Sequence, residues 1–196
     1  MKTTLETKRL LLRPLKQSDA IEIFENWASD EDFPKYMTWS AHKNIEETKK
    51  LVDMWIKEYE DPKTIRFMIV LKSTNEVIGQ IDVVKIVDDI PEIGYLIMKK
   101  YWNNGYMSEA CNCVINYIFT LGYKNIIIEA MKENIASNKV IPPDFEIIKS
   151  EFFIYLLTSS VYPITLIFLY LSLRYSYILL LFPVIIVVFI SFTLLS

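Results

Sequence analysis

The distribution of charge along the chain is the feature that most restricts its fold. The sequence has 196 residues, and of its 45 charged side chains all but Arg174 lie before residue 152. The first 151 residues carry 20 basic and 24 acidic groups, a balance typical of one solvated domain with a sizeable core. The sequence therefore predicts a folded domain over residues 1–151 and a hydrophobic tail over residues 152–196.

Composition excludes several classes of function. A net charge of −3 gives no positive field for nucleic acid. No His, Cys, Asp and Glu cluster has metal-ligand spacing, so no metal is expected, and His42 lacks a recognisable Ser or Cys partner for a hydrolase triad. Cys111 and Cys113 face different sides of a predicted helix and are expected to be buried, reduced thiols. The amino terminus lacks a signal peptide, so the domain is expected to be cytoplasmic.

Hydrophobic periodicity predicts a strand, two helices, a meander of three antiparallel strands, a helix, a strand and a short helix. Asp19 and Glu22 have capping-box spacing, and Gly122 suits a helix C-cap. The order predicts an α+β fold with a mixed, mostly antiparallel sheet flanked by helices. In chain order the elements cover residues 9–13, 19–27, 45–61, 66–72, 77–83, 92–98, 106–121, 126–131 and 134–141.

The segment EIGYLIMKKYWNNGYMSEA is the most informative about chemistry. A strand, a short polar loop and a helix bring unpaired backbone N–H groups and the positive end of a helix dipole together, which suits phosphate. Gly105 permits close approach of the backbone, and Ser108 adds a hydroxyl donor. An ordinary β–α turn has the same pattern. The loop lacks P-loop and Rossmann glycines, which disfavours nucleoside triphosphate and dinucleotide chemistry.

Three co-linear segments, LETKRLLLRPLKQSDA, EIGYLIMKKYWNNGYMSEA and MKENIASNKV, resemble the GNAT acetyltransferase superfamily. The resemblance covers residues 5–141 and is nearest to the branch of ribosomal-protein N-terminal acetyltransferases (RimJ/RimL-like). It implies a GNAT-like acyl-CoA N-acyltransferase fold. It also implies direct transfer of the acetyl group of acetyl-CoA, a cosubstrate, to a primary amine on a protein N-terminus or a small molecule.

The resemblance also implies where acetyl-CoA binds. Strand 92–98, including Ile97 and Met98, would supply backbone groups to the pantetheine arm, and the Asn134 side chain would bond the same arm. The loop after this strand would wrap the pyrophosphate with backbone amides of Asn103, Asn104, Gly105, Tyr106, Met107 and Ser108.

The resemblance implies catalytic and acceptor residues as well. Glu92 would act as general base, because an ammonium must lose a proton before it attacks a thioester; a solvated strand end is the alternative. Ser137 would lie near the thioester sulfur, with helix capping as the alternative. Tyr36 and Trp39 would line the acceptor mouth, although core packing is the commoner role of such aromatics.

The loop departs from the family pattern Trp-Gly-Lys-Gly-Tyr-Ala at three positions. Asn103 replaces a Gly, which is mild because Asn tolerates left-handed backbone angles. Asn104 replaces a basic residue, and this loss of a phosphate charge is expected to weaken CoA binding modestly. Met107 replaces a small residue and is expected to tighten the loop.

The carboxyl-terminal part departs most from the family. Pro142-Pro143-Asp144-Phe145 replaces a Glu-Lys-x-Gly-Phe segment. Residues 145–151 could still form a sixth strand, but no strand is recognisable after Glu151, so the C-terminal strands are expected to be incomplete. Residues 152–173 and 175–195 are each long enough for a transmembrane helix.

Two origins of the tail remain open: a membrane anchor on the cytosolic face, or the product of a reading-frame change that truncates the enzyme. The alternatives to an active enzyme are a catalytically inactive CoA-binding or membrane-tethered remnant, and a membrane protein whose soluble head has an unrelated function.

Overall fold

A computed structural model describes residues 3–33, 39–143, 146–149 and 152–158, the last two ranges as backbone. An eight-stranded sheet has the order β1-β2-β3-β4-β5-β6-β8-β7. Its strands are Leu5–Glu6 (β1), Leu10–Arg13 (β2), Arg66–Leu71 (β3), Glu76–Val87 (β4), Ile90–Ile97 (β5), Asn125–Met131 (β6), Glu146–Lys149 (β7) and Phe152–Thr158 (β8). The α-helices are Asp19–Ile23 (α1), Ile45–Glu58 (α2), Tyr106–Thr120 (α3) and Ile135–Val140 (α4), and a π-helical turn continues α1.

The pairing of the strands confirms a mixed, mostly antiparallel sheet. Strands β1 to β5 pair antiparallel in sequence order, β5 pairs parallel with β6, and β7 pairs antiparallel with β8. All predicted helices and strands up to residue 141 are present. Strand β1 was not predicted, because two residues are too short to show a period.

Two hydrophobic cores lie on opposite faces of the sheet. On β3, Phe67, Ile69 and Leu71 pack into the core that includes α3, whereas Met68 and Val70 pack into the core that includes α1 and α2. Because both faces are covered, every residue of β3 is buried and the strand is an apolar run. The sheet is thus fixed from both sides around β3, β4 and β5.

The helix ends agree with the sequence in part. Gly122 follows α3 with φ of 96°, as its predicted C-cap role requires. The capping box expected from the spacing of Asp19 and Glu22 does not form: Ser18, the residue before α1, makes no side-chain capping hydrogen bond. The carboxylate of Asp19 is instead 3 % exposed and accepts from Arg13 Nη2 at 2.7 Å and from Nη1 at 2.8 Å. The charge-assisted pair with Arg13 has displaced the local cap.

The possible strand over residues 145–151 is present as β7, but the prediction that no strand follows Glu151 is wrong. Strand β8 lies between β6 and β7, and it was missed because its sequence, FFIYLLT, is continuous with the apolar stretch that follows. Within the described part of the chain, no helix combines the length and apolarity that crossing a bilayer needs. By internal contacts the chain divides into Met1–Leu157 and Thr158–Ser196. Residues 159–196 lie outside the described residues, so both origins of the tail and the division at residue 151 stay predictions.

Candidate active site

A gap between β5 and β6 forms the centre of the site. The two strands pair only at Glu92 with Ile127 and at Ile93 with Ile128, although β5 continues to Ile97. The Met98 N–H donates to Ile78 O on the other side at 2.9 Å, so by alternation the backbone groups of Tyr95 and Ile97 face the gap. The Ile97 carbonyl accepts from Trp102 Nε1 at 2.8 Å, so the divergence presents the Ile97 N–H to a ligand.

The start of α3 lies at one end of this gap. Asn103 and Gly105 have φ of 60° and 72°, both in the left-handed region, which the sequence indicated for Asn103 alone. Among the described residues no side chain caps α3. The N–H groups of its first turn have no intrahelical acceptor, and the helix dipole adds partial positive charge there. The loop is thus shaped to receive an anion.

A cavity of about 540 Å³ joins this loop to the gap and to the start of α4. Its size suits a ligand much larger than a single phosphate group. The predicted binding residues that line it are Ile97, Asn103, Gly105, Tyr106, Met107, Ser108, Asn134 and Ser137. The predicted binding residues come from three separate segments of the sequence, and the fold places them around this one cavity.

Asn134 and Ser137 hold the far wall of the cavity. Asn134 Oδ1 accepts from Ser137 N–H at 3.1 Å, so the capping role that was kept as an alternative is present. Tyr95 Oη donates to the Ser137 carbonyl at 2.9 Å and so bridges the gap between β5 and α4. The Ser137 hydroxyl is not used by the cap. Tyr95 was not predicted as a site residue, although it lies in the segment that carried the resemblance.

Two predicted cofactor contacts lie elsewhere. Met98 is 6 % exposed in the core beneath α1 and α2, and its carbonyl accepts from Tyr101 N–H at 2.9 Å. Both backbone groups of Met98 are therefore used within the protein, because alternation turns this residue away from the gap. Asn104 is not part of the cavity wall; its side chain donates to Trp102 O at 2.9 Å.

Glu92 also lies outside the cavity wall. It is 8 % exposed, and its Oε2 is 3.2 Å from Lys85 Nζ. Glu92 shares a face of β5 with Gly94 and Leu96, and Leu96 lines the cavity. A Cβ at Gly94 would lie 2.6 Å from Val84 Cγ1, so the Val84 side chain covers the strand between Glu92 and the cavity.

The acceptor-side loop follows α1. Asp32 and Phe33 line the cavity, and Lys99 Nζ holds Asp30 Oδ2 at 2.8 Å. The hydrogen bond from Lys99 lowers the pKa of Asp30 below its usual value. The predicted Trp39 is not on the cavity wall: its ring stacks on Phe33 at 6.5 Å, which is the core-packing alternative. Tyr36 lies outside the described residues.

The thiols and the histidine take no part in the described site. Both Cys111 and Cys113 are free thiols; Cys111 is buried as predicted, whereas Cys113 is only half-buried. Burial raises the pKa of Cys111 to about 12. His42 Nδ1 is 2.7 Å from Thr48 Oγ1, a contact that fixes the start of α2. No group of three His, Cys, Asp or Glu side chains able to hold a metal occurs among the described residues.

Comparison with known proteins agrees with this geometry. The pattern of the family described as "Acetyltransferase (GNAT) domain" matches residues 9–142. A Bacillus subtilis (strain 168) protein named "Uncharacterized N-acetyltransferase YoaA" is 32% identical over 140 residues, which are 70% of this chain and 78% of that protein. The Bacillus licheniformis "Uncharacterized N-acetyltransferase p20" is 31% identical over 141 residues, 70% of this chain and 79% of its own.

A solved structure shows the same fold. RimL, a ribosomal L7/L12 alpha-N-protein acetyltransferase in complex with coenzyme A, matches with a TM-score of 0.72 at 17% identity and covers 81% of this chain and 100% of that one. The family match, the two curated relatives and the cavity at the start of α3 agree. The chain belongs to the GNAT acetyltransferase family and is an acetyl-CoA-dependent acyltransferase.

Proposed function

We propose that this chain transfers the acetyl group of acetyl-CoA to a primary amine, either a peptide N-terminus or a small-molecule amine. The observation that carries the proposal is the cavity that joins the start of α3, the gap beside β5 and the start of α4. An extended ligand with an anionic end and an amide-containing arm matches that sequence of surfaces. The uncapped helix start supports the placement of acetyl-CoA, since its N–H groups need acceptors.

The pyrophosphate binds at the loop and the first turn of α3. The N–H groups of Tyr106, Met107 and Ser108 donate to phosphate oxygens, and the Ser108 hydroxyl adds a donor. Gly105 keeps the approach open, because its position lacks a side chain on the cavity wall. Asn103, with its left-handed backbone, turns the chain into this arrangement.

The pantetheine arm lies along the gap and extends β5. The Ile97 N–H and the backbone of Tyr95 face the arm, and the Asn134 Nδ2 group donates to one of its carbonyl oxygens. Ser137 lines the same stretch and places its hydroxyl near the thioester sulfur. In the transfer a C–N bond to the acetyl carbon forms and the C–S bond breaks. The Ser137 hydroxyl donates a hydrogen bond to the departing sulfur.

Removal of the amine proton is assigned to Glu92. An ammonium group cannot attack a carbonyl, so a base must take one proton before the C–N bond forms. Because Val84 lies between Glu92 and the cavity, the proton passes through water rather than directly. After the C–N bond forms, the nitrogen loses a second proton, and the released coenzyme thiolate takes up one proton. One proton is therefore released overall for each ammonium acetylated.

A second function, coenzyme binding without turnover, is favoured by one observation. No carboxylate of β5 lies on the cavity wall, and Glu92 is engaged with Lys85. If the water path is closed, the domain would bind acetyl-CoA and hold it. Both functions are proposed for the cytosol, in keeping with the free thiols of Cys111 and Cys113.

Turnover separates the two functions. The full-length chain in detergent is titrated with acetyl-CoA by calorimetry and then assayed for CoA release with peptides that begin with Ser or Ala, and with small primary amines. Saturable binding together with an acetylated product, identified by mass, supports the enzyme. Binding without product for any amine selects the binding function, and the absence of binding overturns both.

A further inference from the structure

Arg9, in the turn between β1 and β2, lies against the loop at the start of α3 although 95 residues separate it from Asn104. Its Nη1 donates to the Asn104 carbonyl at 2.9 Å. The guanidinium carbon stands 4.3 Å from the centre of the Tyr106 ring, and Nη2 is 3.6 Å from where a Cβ at Gly105 would be. One side chain thus touches three successive residues of the loop.

Glu109, one turn into α3, fixes Arg9 in this position. Its Oε2 accepts from Arg9 Nε at 2.6 Å, and its Oε1 accepts from Arg9 N–H at 2.9 Å and from Thr7 Oγ1 at 2.5 Å. Burial acts to raise the pKa of Glu109, but the hydrogen bonds from Thr7 and Arg9 outweigh it and the pKa is lowered. The carboxylate therefore stays ionised at neutral pH and ties the β1–β2 turn to the helix that follows the loop.

The contacts of Arg9 bear on the direction of the loop amides. A carbonyl held on the protein side by Arg9 turns the next peptide N–H, that of Gly105, toward the other side. Gly105 and Asn103 are both in the left-handed region. This conformation costs Asn free energy, so it needs stabilising contacts from outside the loop. Arg9 supplies this support, and it brings a cation to a loop in which Asn104 carries none.

We propose that Arg9, held by Glu109, is a positioning residue that keeps the loop at Asn104–Gly105 in its phosphate-binding form and so sets the affinity for the phosphate end of acetyl-CoA. This inference rests on the proposed function, in which that loop binds the pyrophosphate. The role is specific to Arg, because the planar guanidinium contacts the carbonyl, the carboxylate and the aromatic ring at once, which a Lys ammonium cannot do.

The test compares two acetyl donors. S-acetylpantetheine has the thioester and the arm but lacks the pyrophosphate and the nucleotide. In Arg9→Lys and Arg9→Gln, kcat/KM for acetyl-CoA is expected to fall by roughly tenfold, the usual loss for a charge-assisted contact. The fall should come from a higher KM, with kcat unchanged. The kcat/KM for S-acetylpantetheine is expected to stay within about twofold of the wild type.

Lys72→Met is the matched control. Lys72 Nζ bonds Glu6 Oε2 at 3.0 Å and the Thr7 carbonyl at 2.7 Å, so it ties the same turn between β1 and β2 without touching the loop. Lys72→Met is expected to leave the ratio of kcat/KM for acetyl-CoA to kcat/KM for S-acetylpantetheine unchanged.

Three results contradict parts of the account. Equal losses of kcat/KM for both donors in the Arg9 variants would show that Arg9 only supports the fold. A wild-type ratio of the two kcat/KM values in Arg9→Lys would show that a positive charge alone is needed. Either result overturns the inference. A wild-type chain that does not prefer acetyl-CoA to S-acetylpantetheine would instead overturn the proposed phosphate site. Calorimetric Kd values for CoA compare the wild type with the Arg9 and Lys72 variants without needing an amine.

Discussion

The two ends of the cavity are built differently. At the proposed phosphate end, backbone groups of α3 form the surface. Arg9 and Glu109, which are 40% and 20% exposed, brace it with hydrogen bonds that join the β1–β2 turn, the loop and α3. At the proposed acceptor end, a loop forms the surface and is tied to the turn after β5 by Lys99 and Asp30, which are 46% and 37% exposed. Exposed pairs of this kind contribute little to stability.

This difference shows where specificity can vary. We expect a backbone surface braced by a partly buried ion pair to bind a constant ligand, whose phosphates are the same for every acceptor. A loop surface lined by Asp32 and Phe33 can change its side chains without disturbing the sheet. The donor end is thus expected to respond to substitutions through CoA affinity, and the acceptor end through the KM of the amine.

The largest effect is expected at Glu92, which lies outside the cavity wall. Glu92→Gln removes the proposed base and should lower kcat by roughly 100-fold, with little change in the Kd for CoA. Lys85→Met is the control, because it breaks the same ion pair from the other side. Initial rates at saturating acetyl-CoA check both. Equal, small losses in the two variants would show that Glu92 is only half of a structural pair.

Gly105→Val should break the donor end. A β-branched residue is strained at φ of 72°, and its side chain would press on Arg9. CoA affinity is expected to fall at least about tenfold, the usual effect of losing a charge-assisted contact. Gly122→Val is the matched control, because φ is 96° there and nothing lies within 4 Å of its Cβ position. Both variants should lose about 1–3 kcal/mol of unfolding free energy, but Gly122→Val should keep its CoA affinity in calorimetry. A similar loss of CoA affinity in both variants would show that this loop is not the phosphate site.

The bracing at the donor end should depend on pH. The pKa of Glu109 is lower in the folded chain than its ordinary 4.5, so its ionised form stabilises the fold. That contribution is complete above about pH 4.5 and is lost as pH falls through the folded-state pKa. Glu109→Gln should cost about 1 kcal/mol at pH 7, and the difference from the wild type should shrink below pH 4 in urea unfolding. A difference that is constant with pH would contradict the bracing role.

The smallest effect is expected at the acceptor end. Lys99→Met releases the loop at Asp30 and should raise the KM of the amine by about two- to threefold, while the KM of acetyl-CoA stays unchanged. Lys100→Met is the neighbouring control, since Lys100 pairs with Glu76 and is not on the cavity wall. Steady-state kinetics with both substrates varied checks this. A larger effect on acetyl-CoA than on the amine would contradict the division of the cavity into two ends.

Much of the donor end was predicted from sequence because its determinants are local. The left-handed angles of Asn103 and Gly105 and the start of α3 follow from residue types within one short segment. The Asn134–Ser137 turn is local as well. The contact of Arg9 with Glu109 spans 100 residues, and no local pattern records such a pair.

The errors have physical causes of a different kind. Met98 was placed one residue beyond the stretch of β5 that faces the gap, and a shift by one residue reverses the direction of the backbone groups. Strand β8 has the same apolar composition as a membrane segment, so hydropathy alone could not separate the two. Trp39 shows why exposure is hard to predict in loops: tertiary packing, which the local sequence does not record, decides whether the side chain is exposed.

Amide NMR of the labelled full-length chain in detergent, titrated with CoA, tests the central claim most directly. The account predicts that the 1H–15N signals of Gly105, Tyr106, Met107 and Ser108 move most, with the amide protons shifted downfield as they donate to phosphate oxygens. Titration with pantetheine should leave these four signals in place and move Ile97. If CoA moves the signals around β5 or elsewhere but leaves residues 105–108 unchanged, the start of α3 is not the phosphate site.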